Sequence, residues 1–391
     1  MIKIIARSNE VTSVKFRFKS NLLKKTIQIL FLLAISVNNI NCRSKDKIHE
    51  VSVNIDSVFT KKYITKGRTI ISSKNLIDPW TILAMDSLLI IGNKKGEPAI
   101  EIYNTNGTII KKIISRGVGD NNVLFIGQLQ SDYLNKCFYC YDLFNKKILK
   151  ISLEDFPIRD SLTAKLLIDF KNSILPKDLY DKMYVMGKYF IGESKSLQGR
   201  LLLVNKKSLN LNFQVNYPQK IDSTLSDKEF AHLYGSCIAI SPNKNNLAIA
   251  TFNAGLLNLY DISNPLKFKS LWNYNDFFPN NLKKVTLEDS TNLMMFTDQS
   301  KSGYSDICAT DNFVYAVYSG KYMGEKKYSF SNIIRVISWD GKKKFELLLD
   351  REVNRISIDK NNSCIYGITS DLNNEPEVVE FTIKNIVNKY L

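Results

Sequence analysis

Two glycines, Gly117 and Gly119, stand one residue apart in the segment IISRGVGDNN, directly after a run of β-forming residues. At this spacing, glycines can shape a loop whose backbone N–H groups cradle a phosphate. A dinucleotide-binding loop also needs a third glycine and a following helix whose amino end faces the pyrophosphate. The residues that follow here, VLFIGQLQSDYLNKCFYC, are typical of strands. We therefore interpret the segment as a corner between two pieces of sheet, where glycine permits a sharp turn through positive φ.

The chain contains two histidines, His49 and His232, which are far apart in sequence. Isolated histidines are more often structural or exposed than catalytic. The Gly-x-Ser-x-Gly nucleophile elbow of hydrolases does not occur. The sequence therefore indicates no catalytic residue.

Two short motifs could bind metal. The segment DLNNEPE, Asp371–Glu377, places oxygen ligands at alternating positions as calcium loops do, but it lacks glycine at the sixth position and glutamate at the twelfth. The motif CFYC brings Cys137 and Cys140 together, yet strand alternation would send their side chains to opposite faces, and no second pair lies at zinc-ligand spacing. We interpret the first motif as a solvated hairpin loop and the second as core or half-buried strand cysteines. We expect no metal site and no cofactor.

The remaining cysteines give no disulfide framework. The chain has six cysteines, and setting Cys42 aside leaves an odd number. Those five are Cys137, Cys140, Cys237, Cys308 and Cys364.

The amino-terminal residues have the features of an export signal. A basic stretch at residues 17–25 precedes the apolar run IQILFLLAISV, residues 27–37, and Cys42 follows soon after. The run is too short to span a bilayer and has the length of a signal-peptide core. The segment resembles a lipoprotein signal, in which Cys42 becomes the lipidated first residue, although Asn41 and Asn39 depart from the usual lipoprotein pattern. An uncleaved anchor and a soluble secreted form are the alternatives.

This signal predicts three regions of the chain. They are a signal peptide at residues 1–41, a tether at 42–62 and a folded domain at 63–391. The residues after the cysteine, RSKDK, lack the acidic cluster expected of surface-exported lipoproteins. We therefore predict a lipid-anchored protein of the bacterial cell envelope that faces the periplasm rather than the cell surface, with the membrane as its first partner.

Composition indicates a globular domain. The 391 residues are 44% hydrophobic and 11% aromatic, which is enough to build a sizeable core. The formal net charge of +16 could suggest nucleic-acid binding, but the lysines are scattered rather than clustered. We interpret them as a solvated basic surface and expect no nucleic-acid partner.

An internal repeat predicts the architecture. Hairpins with an Asn-Gly or Asp-Gly turn occur at Ile100–Ile114 and Ile334–Leu348, and the second contains SWDG, which is more simply an Asp-Gly turn than a tryptophan-aspartate repeat. Similar apolar strands recur at intervals of 49 to 67 residues. They begin at Asp86, Asn135, Gly187, Asn245, Asn312 and Asn362. Six such units predict an all-β fold, a six-bladed β-propeller of four-stranded antiparallel blades.

The repeat also predicts loops and a closing contact. The extra length of the longer units is assigned to loops at residues 158–183 and 275–303, with a short helical turn in the second. Propellers usually close when an early strand completes the last blade, because closure removes two exposed sheet edges. Tyr63–Ser73 is the candidate for pairing with Glu377–Ile383.

The glycine corner also carries a family resemblance. SRGVGDNN followed by CFYCYDLFNKKILKISL resembles the TolB-like six-bladed propeller proteins found among lipoproteins of Bacteroides-type bacteria, which show a Gly-Arg-Gly-Pro-Gly-Glu-Phe type element at this place. Arg116, Gly117 and Gly119 match the element, whereas Val118 and the Asp-Asn pair after Gly119 depart from it. Stretches that begin at Phe230 and Gly303 fit as well. The resemblance implies the propeller and no known reaction.

Two functions remain open at this point. In the first, the protein is a lipid-tethered recognition or scaffold module that holds a glycan, peptide or protein partner at one rim and the channel mouth. Its many tyrosines and asparagines suit such a surface. In the second, it is a metal-dependent propeller hydrolase or lyase of the lactonase kind, with a metal held by Glu, Asn and Asp from several blades. We favour the binding module, because the sequence has no histidine cluster and no familiar metal motif. The ligand-binding residues are unknown, because the sequence does not indicate which side chains face the channel.

Overall fold

The described part of the chain folds almost entirely into strands. The computed structural model describes residues 50–52, 58–154, 156, 162, 164–171, 180–218, 225, 227–286, 292–371 and 373–391. Cys42 and His49 lie outside the described residues. Among the helices in those ranges, none is long and apolar enough to cross a bilayer.

The fold has six antiparallel blades of four strands each, and the first three blades follow one another in the chain. Blade 1 consists of β4 Pro79–Met85, β5 Leu88–Asn93, β6 Ile100–Asn104 and β7 Ile109–Ile113. Blade 2 consists of β8 Ile126–Asp132, β9 Cys137–Asp142, β10 Lys147–Ser152 and β11 Ala164–Asp169. Blade 3 consists of β12 Tyr180–Met186, β13 Tyr189–Ser194, β14 Leu201–Asn205 and β15 Leu211–Gln214.

The last three blades include two insertions and the amino-terminal strands. Blade 4 consists of β16 Ser236–Ile240, β17 Asn246–Thr251, β18 Leu256–Asp261 and β19 Lys269–Asn275. Blade 5 contains β22 Tyr304–Ala309, β23 Phe313–Tyr318, β24 Ser331–Ser338 and β25 Lys344–Val353. Blade 6 contains β26 Arg355–Ile358, β27 Cys364–Ser370 and β28 Pro376–Thr382. The fourth strand of blade 6 is β3 Gly67–Ile71. Outside the six four-stranded blades lie β1 Glu50–Ser52, β2 Lys61–Thr65, a 3₁₀ turn Ser73–Asn75, α1 Asp227–Leu233, the hairpin β20 Leu282–Thr286 and β21 Asn292–Phe296, and α2 Lys384–Val387.

The six blades form a ring, so the chain is a six-bladed β-propeller, as the repeat predicts. Each of the six marker strands is the second strand of a blade. The two hairpins with Asn-Gly and Asp-Gly turns are the third and fourth strands of blades 1 and 5, so they are the same hairpin in two blades.

Alternation along the strands explains why these sequences are apolar on both faces. In β23, Phe313, Tyr315 and Val317 pack into a cluster shared with blade 6. Val314 and Ala316 pack into a cluster shared with blade 4. Because neighbouring blades cover both faces of a strand, period-two alternation gives a nearly continuous apolar run instead of an amphipathic one.

The two regions assigned to loops are the main errors of the sequence analysis. Residues 158–183 contain β11, the outer strand of blade 2. Residues 275–303 contain the hairpin of β20 and β21, and no helix occurs among the described residues of this segment. The seven-residue helix α1 lies elsewhere, before blade 4. The strand β11 is largely exposed or half-buried, so burial gives it no clear apolar pattern.

The ring closes through the amino-terminal strands. β3 pairs antiparallel with β28 and completes blade 6, with Ile71 opposite Val378 and Gly67 opposite Phe381. This confirms the predicted pairing. In addition, β2 pairs in parallel with β25 and adds a fifth strand to blade 5. The amino-terminal strands therefore join blades 5 and 6 to blade 1.

Strand direction defines two faces of the propeller. Every blade begins at its innermost strand, and successive strands are antiparallel. The starts of the innermost strands, the turns between second and third strands, and the connections between blades therefore share one face, which we name the upper face. The remaining turns lie on the lower face. The glycine corner, α1 and the β20–β21 hairpin all belong to connections between blades, so they lie on the upper face.

Gly107 tests the closing contact. It has φ +84° in the turn between β6 and β7, and a Cβ added there would lie 1.9 Å from the carbonyl oxygen of Ile70 in β3. We expect Gly107→Ala to lower the free energy of unfolding by about 3 kcal/mol or more, because the variant combines backbone strain with displacement of β3.

Gly187→Ala is the matched control, because Gly187 has φ +53° and nothing within 4 Å of an added Cβ. Its free energy of unfolding should fall only by the cost of a left-handed backbone conformation, about 1 kcal/mol. Denaturant titration of both variants measures the difference. Equal losses would show that the closing strand does not depend on this contact.

Candidate functional site at the channel mouth

Six side chains, one from each blade, surround the upper end of the central channel. They stand at or near the starts of the innermost strands and line one cavity of about 140 Å³. We name them the mouth ring, which consists of Trp80, Gln128, Lys182, Cys237, Asp306 and Arg355. A ligand that enters from the upper face would meet all six blades at once.

Four of the six innermost strands carry an irregularity in strand register at this end. The register shifts lie at residues 79–81, 126–128, 180–183 and 304–306. A β-bulge adds an unpaired residue to one strand and changes the direction of the side chains around it. In β4 the unpaired residue is Trp80 itself, and Lys182 lies within the shift in β12. These bulges therefore help to set which side chains face the channel.

Two cations of the mouth ring contact aromatic rings. The Lys182 ammonium lies 4.8 Å from the centre of the Phe252 ring, and the Arg355 guanidinium lies 4.5 Å from the Trp80 ring. Arg355 Nη1 donates hydrogen bonds to the carbonyl oxygens of Asn354 and Ser305, at 2.7 and 3.2 Å. Neither cation forms an ion pair with a carboxylate in the described ranges. The rings hold the cations in place and leave their charges uncompensated by direct pairing.

Asp306 supplies the negative charge of the mouth ring. Its Oδ2 accepts a hydrogen bond of 2.8 Å from the backbone N–H of Ile356. Burial raises the pKa of Asp306 above its ordinary value, while Arg355, the Ile356 N–H and Lys182 act in the opposite direction. Ionising Asp306 in the folded protein therefore costs free energy. Groups with pKa values shifted by burial beside specific charges are concentrated at functional sites.

Burial disfavours the ionised form of the cysteines near the channel. Burial raises the pKa of Cys237 to about 12 and raises the pKa of Cys308 well above its ordinary value. Since the thiolate is the nucleophilic form, neither side chain is activated at neutral pH. The chemistry that the mouth ring offers is attraction of negative charge together with hydrogen-bond donation.

The lower end of the channel differs, because its lysines are paired. Lys244 Nζ lies 2.9 Å from Asp132 Oδ2, and Lys360 Nζ lies 2.6 Å from Asp86 Oδ1. Lys244 and Lys360 also line the channel cavity. The unpaired positive charge of the channel is therefore at the upper end.

An aromatic strip leads outward from the mouth ring across blades 1 and 2. We define the strip as Trp80, Phe125 and Phe144, with successive ring centres 5.8 and 5.3 Å apart. Phe144 is 63% exposed in the turn between β9 and β10, and the neighbouring Leu124 is exposed as well. This strip gives the upper face an apolar surface that is continuous with the channel.

A second cavity lies at the outer part of the upper face, between blades 5 and 6. Its volume is about 610 Å³. Its arginine is ion-paired, because Arg351 Nη1 lies 3.4 Å from Glu377 Oε2, and its lysine, Lys327, donates to the hydroxyl of Ser370 at 2.7 Å. This cavity is wider than the mouth, but its arginine has a carboxylate partner, whereas Arg355 of the mouth has none among the described residues.

The glycine corner is a structural turn, as the sequence analysis proposes. It links β7 of blade 1 to β8 of blade 2, and Gly117 has φ +150°. Arg116 donates to the carbonyl oxygens of Gly96, Leu124 and Asn93 at 2.7 to 2.8 Å. The corner's own Gly119 carbonyl accepts from the buried Lys147. The backbone N–H groups of Arg116 and Gly117 are also used, by Glu97 Oε1 at 2.7 Å and the Val123 carbonyl oxygen at 3.1 Å, so they are not available to a phosphate.

Other residues from the sequence analysis are placed as follows. His232 is exposed on α1. Cys137 and Cys140 are buried in β9 on opposite faces, in different core clusters. Asp371 caps the hairpin between β27 and β28, where its carboxylate accepts from the N–H groups of Asn373 and Glu375. Within the described ranges, no three His, Cys, Asp or Glu side chains are grouped closely enough to hold a metal ion.

No motif in the sequence marks Trp80, Lys182, Asp306 or Arg355 as site residues. The usable signal was a charged residue at the start of the apolar strand that precedes a marker strand, as in DKMYVM, YSDICA and RISI. Without coordinates, that signal does not separate a channel-facing charge from an ordinary strand end.

Comparisons with known proteins agree with the architecture. The model of the TolB-like 6-blade propeller-like family matches residues 57–361. A crystal structure of a member of the DUF4221 family from Bacteroides vulgatus is similar, with a TM-score of 0.51, 10% identity, and coverage of 87% of this chain and 99% of that one. The crystal structure of the RRP9 WD40 repeats matches with a TM-score of 0.45, 9% identity, and coverage of 86% and 99%. Comparison with curated protein sequences gives no match.

The pKa of Asp306 leads to a test of stability against pH. The pKa of Asp306 is higher in the folded protein than in the unfolded chain. As pH rises between these two values, the unfolded chain releases the proton of Asp306 while the folded protein still holds it. Wild-type stability therefore falls through that interval and stays lower at neutral pH. Asp306→Asn keeps an oxygen that accepts from Ile356 and removes the charge, so we expect a higher melting temperature at pH 7 and a shrinking advantage as pH approaches 4.

Asp261→Asn is the control of opposite sign. Hydrogen bonds from Ser263 lower the pKa of Asp261, so its ionised form stabilises the fold. That variant should lose stability at pH 7 and approach the wild type in acid. An Asp306→Asn variant that melts below the wild type at pH 7 would contradict the assignment.

Proposed function

We propose that this protein is a binding module of the bacterial cell envelope. The premise is that the chain belongs to the TolB-like 6-blade propeller-like family. The protein is anchored by a lipid on Cys42, faces the periplasm, and holds a partner at the upper face of the propeller. The family gives the scaffold, and the site gives the function.

One observation carries the proposal. Two half-buried cations, Lys182 and Arg355, stand in the channel mouth without a carboxylate partner in the described ranges, beside an exposed aromatic strip. Folding alone gains little from such an arrangement, because uncompensated charges in a partly buried site lose hydration and exposed aromatic rings contribute little burial. A preformed concave site with a few convergent polar groups and aromatic walls is typical of ligand recognition.

The long connections add support. Loops that carry binding residues are usually held by a rigid scaffold, and here α1, the β20–β21 hairpin and the glycine corner lie on the same face as the mouth ring. The location in the envelope is supported by the amino-terminal sequence, with its basic stretch, its short apolar run and Cys42.

The lipid anchor is tested by metabolic labelling. Radiolabelled palmitate should enter the wild-type protein and should not enter Cys42→Ser, because the thiol of Cys42 is the proposed attachment site. Equal labelling of both proteins would reject the lipoprotein assignment. Protease treatment of intact cells should leave the wild-type protein uncut, and removal of the protein by protease would reject the periplasm-facing orientation.

The binding face is tested by site-specific photocrosslinking in cells. A photoreactive amino acid at Phe144, on the upper face of blade 2, should form a discrete crosslinked product with the partner. The same amino acid at Leu134 is the matched control, because Leu134 is apolar, 89% exposed, and lies in the lower-face turn of the same blade. Products from position 134 and none from position 144 would place the interface on the wrong face for this proposal.

A further inference from the structure

The mouth ring has a net charge that defines the ligand group it can take. Lys182 and Arg355 contribute two positive charges, and Asp306 in its ionised form contributes one negative charge. The remaining charge of the ring is about +1, and Lys94, over the Trp80 ring at 5.3 Å, adds a further positive charge beside it, so the mouth attracts an anion. Coulombic attraction is also stronger here than in bulk water, because the channel walls have a low dielectric constant.

Arg355 has the geometry for a carboxylate. Its Nη1 is used by backbone carbonyl groups, whereas Nε and Nη2 have no hydrogen-bond partner among the described residues. A guanidinium can donate two parallel hydrogen bonds to the two oxygens of a carboxylate. Lys182, on the opposite side of the ring in blade 3, can supply a third donor.

Cavity size shows how much of a ligand enters the channel. About 140 Å³ is well below the roughly 300–1,000 Å³ of clefts that hold drug-sized molecules. The residues around this cavity also include Ile82, Leu129 and Ile238, which are buried members of the core clusters between blades. The mouth therefore accepts the end of a ligand, and the rest of the ligand must lie on the upper face.

The surface beside the mouth suits apolar side chains better than sugar rings. Cations already lie over the Trp80 ring, Arg355 at 4.5 Å and Lys94 at 5.3 Å, so a sugar could stack there only after displacing one of them. Phe125, Phe144 and Leu124 offer apolar contact. The two ring spacings along the strip correspond to about three residues of extended chain.

We propose that the channel mouth captures the free C-terminal carboxylate of an extended peptide segment of a partner protein, with apolar side chains of its last residues on the aromatic strip. This inference rests on the binding function proposed above. Arg355 and Lys182 hold the carboxylate, Asp306 limits the affinity by repulsion, and the strip favours apolar residues before the terminus.

The test uses the purified mature protein and two peptide pools. One pool contains N-acetylated tetrapeptides with apolar last residues and a free carboxylate, and the other contains the same sequences with a C-terminal amide. Binding is measured by calorimetry and by protein NMR. The free-acid pool should bind at least about tenfold more tightly than the amide pool, the loss expected when one charge-assisted hydrogen bond is removed. Added salt should weaken binding of the free-acid pool more than binding of the amide pool.

Matched variants assign the effect to the mouth ring. Lys182→Met and Arg355→Gln should each weaken binding of the free acid about tenfold or more, and Asp306→Asn should strengthen it. Lys206→Met is the control for Lys182, because Lys206 also lies over a phenylalanine ring, Phe190, at 5.0 Å, but in a lower-face turn. Arg68→Gln is the control for Arg355, because Arg68 is exposed and pairs with Glu380. Both controls should bind as the wild type does.

The outcomes separate this inference from the proposed function. Equal binding of acid and amide pools, binding that survives in both Lys182→Met and Arg355→Gln, or no binding of the free-acid pool would each overturn the carboxylate inference. The binding function would still stand if position 144 forms a crosslinked product in cells. Loss of that crosslink as well would reject both.

Discussion

The pairing of β3 with β28 is the constraint on which the rest of the molecule depends. It joins residues near the start of the described chain to the last blade, and it sets blade 6 against blade 1. The mouth ring spans this junction, because Arg355 belongs to blade 6 and Trp80 to blade 1. Below them, Ser357 Oγ accepts from the N–H of Ala84 at 2.8 Å across the same junction. The contact that closes the fold therefore also positions two side chains of the candidate site.

Two buried arginines elsewhere in the described part of the propeller donate from more than one nitrogen, whereas Arg355 donates from Nη1 alone. Arg335 in blade 5 lies 3.4 Å from the centre of the Tyr318 ring and donates to Glu346 at 3.3 Å. Arg200 in blade 3 donates to Ser236 and Thr251 of blade 4, each at 2.9 Å. Removing one partner from such a buried group is usually strongly destabilising, because the other group is left unpaired. Arg355 therefore keeps more unused donor capacity than either of these two arginines.

The fold was predictable because its signals are local. Asn-Gly and Asp-Gly turns fix the outer hairpins, and neighbouring blades require nearly continuous apolar runs such as CFYCYD and FVYAVY in the second strands. The strand β11 was missed because AKLLID is half exposed at the edge of blade 2, where burial imposes no clear pattern. The closing pair was found because a propeller leaves two edges to cover, which is a requirement of the architecture rather than of any single residue.

The candidate site was not predictable, and the reason lies in the innermost strands. In a regular strand, channel-facing residues would follow from alternation, but a β-bulge shifts that alternation by one residue. The shifts at residues 79–81 and 304–306 occur where the mouth ring begins, and neither has a sequence signature. Trp80 is the unpaired residue of one shift, and Asp306 is the first paired residue after the other. The ladder hydrogen bonds further along each strand are regular, so the mouth can vary in shape and charge while the ring below it keeps its register. A scaffold of this kind separates the residues that specify the fold from those that specify the ligand.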